Sequence, residues 1–455
     1  MGAREPNQDL RRLHSEAGWT LRQFAQAVNR VGTECGTPTT YSAQTAHTWL
    51  KGHLPSEERR ALILEALSRR LVRRVRHTDA GFPATSEANA SPGIDTVDEI
   101  IGLERRAMVD TSRRSMLGIG LYSAALAIPG WQDVRARMNS IKMDPHARIG
   151  RPDVQAVSAM TDRLSDLDDD FGGQYVRPMA VAFFEWKVAP YLRATASGKV
   201  RQEMLSAAAF LCYLTGWMAE DEEAQGLAQQ YYVKGLELAG ASGDRMTYCH
   251  ILRGMSVQAA NLGHGAPAVR LANAAAEASP ESNPRMRAFL AGQQAHAYAL
   301  AGERIRALNS LREAERSVEQ AESGYGTFGG YNPATLAYHT AQVRHALGDV
   351  KGGIVSLTDH FRLRQANDKL RTELIFGSLL AERQLKVGHL EAACARWSKV
   401  LDAYPHMHSG RLDSRVADIP KLLSPYEGNA AARELRQRVR ELRPGHEVGN
   451  RHDPR

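Results

Sequence analysis

The sequence is poor in aromatic residues and in cysteine, and it has no long apolar run. Aromatic residues make up 7% of the 455 positions, while Ala, Leu and Arg are abundant, which favours helix over sheet. The four cysteines lie far apart with no Cys-x-x-Cys pair, so a disulfide scaffold or a zinc finger is disfavoured and a reducing cytoplasm fits. No apolar run reaches the roughly 18 residues that span a bilayer, and we therefore expect no membrane partner.

The motifs of well-known catalytic sites are also missing. The chain contains no Walker loop, no His-Glu-x-x-His, no Gly-x-Ser-x-Gly and no Gly-x-Gly-x-x-Gly following a strand pattern. We therefore expect no enzymatic activity, no cofactor and no metal site. The acidic segment 165–173 lacks the spacing and the distal Glu of a calcium loop, and we interpret it as a solvated helix end.

What the chain does have is a strongly uneven distribution of charge. The formal net charge is +7, and residues 1–78 hold 13 Lys and Arg against 7 Asp and Glu, whereas the remainder is nearly neutral. This asymmetry is typical of a protein in which one module binds a polyanion and a second, nearly neutral module does not.

Capping residues divide residues 1–78 into four short helices. Apolar residues recur at helical spacing up to Gly18, which ends the first helix. Thr20 is placed to cap a second helix and Ser42 to cap a short third helix, while a fourth helix follows Pro55. Short helices in a basic domain suit the major groove of DNA, which is wide enough for one helix.

Two segments carry a family resemblance. EAGWTLRQFA at 16–25 and YSAQTAHTWLKG at 41–52 resemble the Cro/lambda-repressor (Xre) type of helix-turn-helix domain. Ala46 and Trp49 lie three apart and are expected in the core, so the resemblance implies that the opposite side of the third helix reads DNA, with Gln44 able to bond adenine N6 and N7. The residues expected at the DNA are Arg22, Ala43, Gln44, His47, Thr48 and Lys51.

Four similar turn segments recur in the second half of the chain. They read NLGHGAPAV, LAGERIRAL, ALGDVKGGI and KVGHLEAAC, with glycines at Gly263, Gly302, Gly348 and Gly388. The spacings of 39, 46 and 40 residues indicate a helical repeat. Small residues recur seven positions before and five positions after each glycine, where two antiparallel helices would cross closely: Ser256, Ala295, Ala341 and Ala381, then Ala268, Ala307, Gly353 and Ala393.

These repeats resemble the tetratricopeptide repeat. The best copy contains Ala295, Tyr298 and Gly302, and a degenerate earlier copy has Gly216 and Ala228. The resemblance implies an α-solenoid whose concave groove is lined by the first helix of each pair. The groove positions that it assigns are Tyr213, Trp217, His250, Arg253, His296, Tyr338, Gln342, His345 and Glu382.

We therefore predict an all-α protein with an N-terminal helix-turn-helix domain followed by a tetratricopeptide-like α-solenoid. The predicted divisions are a DNA-binding domain (1–76), a flexible linker (77–98), connecting and capping helices (99–199), the repeat domain (200–442) and a disordered tail (443–455).

The layout is similar to that of bacterial regulators that join a helix-turn-helix domain to helical repeats. It predicts a cytoplasmic, nucleoid-associated transcriptional regulator that binds double-stranded DNA as a homodimer. Its repeat domain would mediate dimerisation and bind a peptide, small-molecule or protein effector. The alternative is a protein–protein interaction scaffold whose DNA-binding domain has degenerated.

Overall fold

The computed structural model describes residues 5–35, 38–83, 96–109, 121–126, 128, 130–131, 144–280, 284–321, 331–364 and 369–442. Helices make up almost all of the regular structure in these ranges, which confirms the predicted all-α class. No helix within them is long and apolar enough to cross a membrane. The predicted tail at 443–455 lies outside the described residues, as does most of the predicted linker.

Four helices form the N-terminal part of the chain. They are α1 (Gln8–Ala17), α2 (Leu21–Glu34), α3 (Ala43–Leu50) and α4 (Glu57–Leu71). The predicted caps are confirmed. Gly18 takes a left-handed conformation at φ 63° after α1, and the Thr20 hydroxyl accepts from the backbone N–H of Gln23 at 3.3 Å. Gln23 accepts in return from the Thr20 amide at 2.9 Å, completing a capping box at the start of α2.

One apolar core joins these four helices. Its largest fully buried members come from every helix, namely Leu10, Leu13, Phe24, Trp49, Leu62, Ile63 and Leu67. The core also takes in Ala80 and Phe82, which lie at and just after a short 3-10 turn at Thr78–Ala80. Ala80 and Phe82 fall within the linker predicted from residue 77, but they belong to the N-terminal core.

The middle of the chain contains the only two β-strands in the part that the structure describes. Its elements are α5 (Thr96–Val109), β1 (Asp144–Arg148), α6 (Arg151–Phe171), α7 (Gly173–Phe183), a π-helical turn (Phe184–Val188), α8 (Ala189–Arg193) and β2 (Ala194–Thr195). The predicted all-α class includes no strand, yet β1 and β2 pair in parallel. The pair is short, and β2 has two residues, so no alternating pattern marks it in the sequence.

The remaining helices follow one another with short turns. They are α9 (Gly198–Asp221), α10 (Gln225–Ser242), α11 (Arg245–Asn261), α12 (Gly265–Ala278), α13 (Pro284–Leu300), α14 (Arg304–Gln320), α15 (Pro333–Ala346), α16 (Val350–Leu363), α17 (Leu370–Lys386), α18 (Leu390–Ala403), α19 (Gly410–Leu422) and α20 (Ala430–Leu442). From α11 to α18, each helix that precedes a glycine turn packs against the helix that follows that turn.

The four glycine turns share one cap geometry. Gly263, Gly302, Gly348 and Gly388 all have φ between 77° and 90°, a conformation that a side chain disfavours. The residue after each glycine donates its amide to a carbonyl five positions earlier, as His264 does to Ala259 at 2.8 Å and His389 to Gln384 at 2.9 Å. These bonds satisfy carbonyls that the end of a helix would leave unpaired.

The small residues around these turns lie where paired helices meet. All eight predicted crossing positions are buried. The Ser256 hydroxyl donates to the Ala268 carbonyl on the next helix at 2.8 Å, and a Cβ on Gly353 would stand 3.1 Å from the Ala341 carbonyl. Larger side chains at these positions would force the helices apart.

The described residues fall into two compact units. The first draws on Met1–Thr161, Ala180–Glu220 and Ala224–Glu281, and the second on Asp162–Met179, Asp221–Glu223 and Ser282–Arg455. The pair α11/α12 lies in the first unit, and the other three glycine-turn pairs lie in the second.

The acidic segment 165–173 is not the solvated helix end that we expected. Asp168 and Asp169, at the end of α6, are 1% and 5% exposed. Both contact the guanidinium of Arg371 at the start of α17, at 2.7 Å and 3.0 Å. Asp221, at the end of α9, is fully buried and pairs with Arg411 at 3.0 Å. These carboxylates and arginines form a buried ionic cluster within the second unit.

Candidate nucleic-acid interface and groove

The start of α3 is positioned by one asparagine side chain. The Asn29 amide nitrogen donates to the Tyr41 carbonyl at 2.9 Å, and its oxygen accepts from the Tyr41 amide at 2.7 Å and the Thr39 hydroxyl at 3.0 Å. The Ser42 hydroxyl then accepts from the Thr45 amide at 3.3 Å and begins α3. The chain that connects α2 to α3 is thereby held to α2 just before the helix starts.

The orientation of α3 follows from its aromatic packing. Trp49 is 2% exposed and packs edge-on against Phe24 and Tyr41, at centroid distances of 5.9 Å and 5.2 Å. Ala46 is fully buried beside it. The prediction that Ala46 and Trp49 face the core is therefore confirmed. At the other end of α3, Arg11 donates to the Leu50 carbonyl at 3.1 Å.

The six residues predicted at the DNA lie at the surface in differing degrees. Arg22, Gln44 and Lys51 are exposed. Ala43, His47 and Thr48 are half-buried, and the Thr48 hydroxyl donates to the Thr45 carbonyl at 2.7 Å. The exposed amide of Gln44 is accessible to a base edge, whereas the Thr48 hydroxyl must give up an internal bond to donate to one. Their role at DNA stays a prediction.

A contact that the sequence did not reveal ties the N-terminal helices to α10 within the first unit. Residues 121–126, which we call the strap, are held by Gln229 of α10. Its side chain donates to the Ser123 carbonyl at 2.9 Å and accepts from the Ser123 amide at 3.0 Å. The next amide, of Ala124, donates to the carboxylate of Glu65 on α4 at 3.0 Å. One short segment thus bridges α4 and α10.

Charge and ring contacts reinforce the strap. Arg69 donates to the same Glu65 oxygen at 2.7 Å and also contacts Glu34. Burial raises the pKa of Glu65, and this effect exceeds the opposite effect of Arg69 and the Ala124 amide, which lower the pKa. The Tyr122 ring stacks on the ring of His264, the residue before α12, with centroids 5.2 Å apart and an interplanar angle of 9°. Burial lowers the pKa of His264, and nearby Arg69 lowers it further.

Four of the nine predicted groove residues lie together in the first unit. Tyr213 and Trp217 stack at 6.5 Å, and the His250 ring meets Tyr213 edge-on at 4.5 Å. Burial, followed by the positive charge of Arg253, lowers the pKa of His250 to about 3, so the imidazole is neutral. Tyr213 and His250 are buried, while Trp217 and Arg253 are half-buried and more accessible to a ligand.

The other five predicted groove residues lie in the second unit, where Tyr338 and Gln342 join one network. The Gln342 side chain donates to the Tyr338 hydroxyl at 3.0 Å, and Tyr338 stacks on Phe376 with centroids 4.0 Å apart. Glu382 of α17 pairs with Arg415 at 2.6 Å. His345 is half-buried on α15, whereas His296 and Gln342 are 9% exposed.

The network is centred on Arg383, which is not among the predicted groove residues. Arg383 is 5% exposed, and its guanidinium donates to the Gln342 side-chain oxygen and to the Ala341 carbonyl at 3.4 Å. A sequence signal did exist, because Arg383 falls three positions after Leu380 and seven after Phe376, on the inward stripe of α17. A charged residue on such a stripe is almost never fully buried unless it is paired.

Comparison with known proteins yields one match. A family model described as the SP15 N-terminal domain matches residues 10–83. The match begins at the first core residue of α1 and extends one residue beyond Phe82, so it coincides with the N-terminal core. No curated protein and no solved structure matches the chain.

Proposed function

We propose that this protein is a sequence-specific DNA-binding transcriptional regulator of the Xre helix-turn-helix type, with α2 and α3 as its DNA-contacting helices. The observation that carries the proposal is the two-sided character of α3. Its Ala46 and Trp49 side is locked into the core, while Gln44 and Lys51 project into solvent. Gln44 is suited to read adenine, and Arg22 and Lys51 to contact phosphates.

The charge of the N-terminal part supports the same proposal. Residues 1–78 carry a formal charge of +6, from 13 basic and 7 acidic residues. Neutralising phosphates with Lys and Arg releases counterions, which supplies much of the affinity of a protein for DNA. Among the described groups, Arg22 and Lys51 make no side-chain ion pair within the chain, so their charges are available to a polyanion.

In this proposal the repeats form a tetratricopeptide-like solenoid that holds two protomers together and binds a peptide, small-molecule or protein effector. The shared cap geometry at the four glycine turns and the buried small residues support the solenoid. A homodimer would place two copies of α3 on half-sites about one helical turn apart. Sedimentation of the protein, free and on DNA, tests the dimer directly.

Selection of bound duplexes from a random DNA pool, with the full-length protein, tests the proposal. One sequence should be enriched, and Gln44→Ala should then lower affinity for it by roughly 1–3 kcal/mol with little effect on random DNA. Gln202→Ala is the matched control, since Gln202 is an exposed helical glutamine on α9. Equal losses on both DNAs would show that Gln44 does not read a base. No enrichment at all would favour the scaffold alternative.

A further inference from the structure

Arg383 is a buried cation that forms no ion pair with a carboxylate in the part of the chain that the structure describes. Only the Gln342 oxygen and the Ala341 carbonyl accept from its guanidinium, and the Nε–H is buried without an acceptor there. Burial lowers the pKa of Arg383 to about 10, so the side chain still carries its charge at neutral pH. A buried charge without a counter-ion is costly, and proteins normally pair it.

The contrast with Arg371 on the same helix is informative. Arg371 is also buried, at 4% exposed, but it contacts the carboxylates of Asp168 and Asp169. The fold therefore supplies carboxylates to one buried arginine of α17 and a neutral amide to the other. Glu382, the acidic neighbour of Arg383 in sequence, is held by Arg415 at 2.6 Å.

The surroundings of Arg383 add positive charge and hydrogen-bond donors. Burial lowers the pKa of His345, and Arg383 and Lys386 lower it further, so the imidazole is neutral. The buried Nδ1 of His345 has no hydrogen-bond partner among the described residues. Arg383, Arg415 and Lys386 outnumber Glu382 here, which leaves the cluster with an excess of positive charge.

We propose that Arg383 anchors a binding site for an oxyanion, a carboxylate or phosphate group of a small ligand, and that Gln342 occupies this site when the ligand is absent. An oxyanion would accept from the Nε–H and one Nη–H side by side, the fork geometry by which arginine binds carboxylate and phosphate. It would displace the neutral Gln342 oxygen, because a charged acceptor makes the stronger bond to a guanidinium. Tyr338, whose hydroxyl accepts from Gln342, is half-buried and so more exposed than Gln342 and Arg383.

The proposal rests on the proposed function only in giving the ligand a regulatory role, and its test needs no DNA. Thermal unfolding of the full-length protein is measured with 10 mM N-acetylglycine, N-acetylglycine amide or inorganic phosphate, at matched ionic strength. For half-saturation near 1 mM, a bound oxyanion should raise the melting temperature by roughly 3–6 °C, whereas the uncharged amide should leave it unchanged. The larger of the carboxylate and phosphate shifts identifies which group the site prefers.

Three variants separate a ligand site from a structural arginine. Arg383→Gln should abolish the shift, while Arg396→Gln, at a half-buried arginine of α18, should preserve it. Gln342→Glu should place a carboxylate on Arg383, raise the melting temperature without ligand and block any further shift. Equal shifts for wild type and Arg383→Gln, or for the acid and its amide, would overturn the proposal. The proposal would also be overturned if ligand raised the melting temperature of Gln342→Glu as much as that of the wild type.

Discussion

Replacing Arg371 with Met should destabilise the second unit severely. The guanidinium contacts three carboxylates: Asp168 at 2.7 Å, Asp169 at 3.0 Å and Asp221 at 3.8 Å. All three are buried, and Arg371 is itself 4% exposed. Methionine retains most of the side-chain volume but no charge, and so it would leave Asp168 without a cation and deprive Asp169 and Asp221 of one each.

The expected magnitude follows from the burial of the cluster. Removing one partner of a buried ion pair costs about 3–5 kcal/mol, because the remaining charge keeps its desolvation penalty and loses its compensation. Arg411 still pairs with Asp221, and Lys369 still contacts Asp169, so Asp168 is the carboxylate left most exposed to this penalty. For a unit of this size the loss corresponds to a fall in melting temperature of roughly 6–20 °C.

Calorimetry of the full-length protein at pH 8, above the pKa of about 7 to which burial raises Asp168, measures this loss, with Arg362→Met as the control. Arg362 lies on α16, is 74% exposed and pairs with Asp359 at 3.0 Å, the kind of surface pair that contributes at most about 1 kcal/mol. A loss below about 1 kcal/mol for Arg371→Met, or one equal to that of Arg362→Met, would refute the argument that burial makes this cluster strong.

Three further predictions test other parts of the molecule. Burial raises the pKa of Asp168 to about 7, so between about pH 4 and 7 the native state holds a proton that the unfolded chain has released. As the pH rises through this range, the stability of the wild type should therefore fall relative to that of Asp168→Asn, by at most about 1.4 kcal/mol per pH unit. Parallel curves of stability against pH for the two proteins would contradict this. Gln229→Ala removes two hydrogen bonds from the strap, so amide exchange of residues 121–124 should accelerate roughly 5- to 100-fold, whereas Gln202→Ala should change nothing there. Ala393→Leu should lower the free energy of unfolding by about 1–3 kcal/mol, because Ala393 is fully buried between paired helices. Ala392→Leu, at the exposed neighbouring position, should be nearly neutral. Similar values for both variants would contradict a close crossing of the two helices at Ala393.

Local features of this protein were predictable from sequence because their causes are local. A residue in the left-handed conformation is needed where a helix ends and the chain turns back at once, so Gly263 and Gly388 indicate turns in the sequence. Thr20 and Ser42 cap helices through bonds that reach only three residues along the chain. The core positions of Ala46 and Trp49 follow from the helical period, which is likewise a property of neighbouring residues.

The remaining features depended on which helices meet. Asp168 is an ordinary acidic residue in sequence, and it is buried because α17 brings Arg371 to it from 203 positions away. The strap is recognisable only when Gln229 and Glu65 are seen on either side of Ser123 and Ala124. The place of Arg383 on an inward stripe can be read from the sequence, but only the packing of α15 against α17 gives it an amide instead of a carboxylate. Burial and partner choice are properties of the assembled helices, since a charge is costly or stabilising only according to what the tertiary structure places beside it.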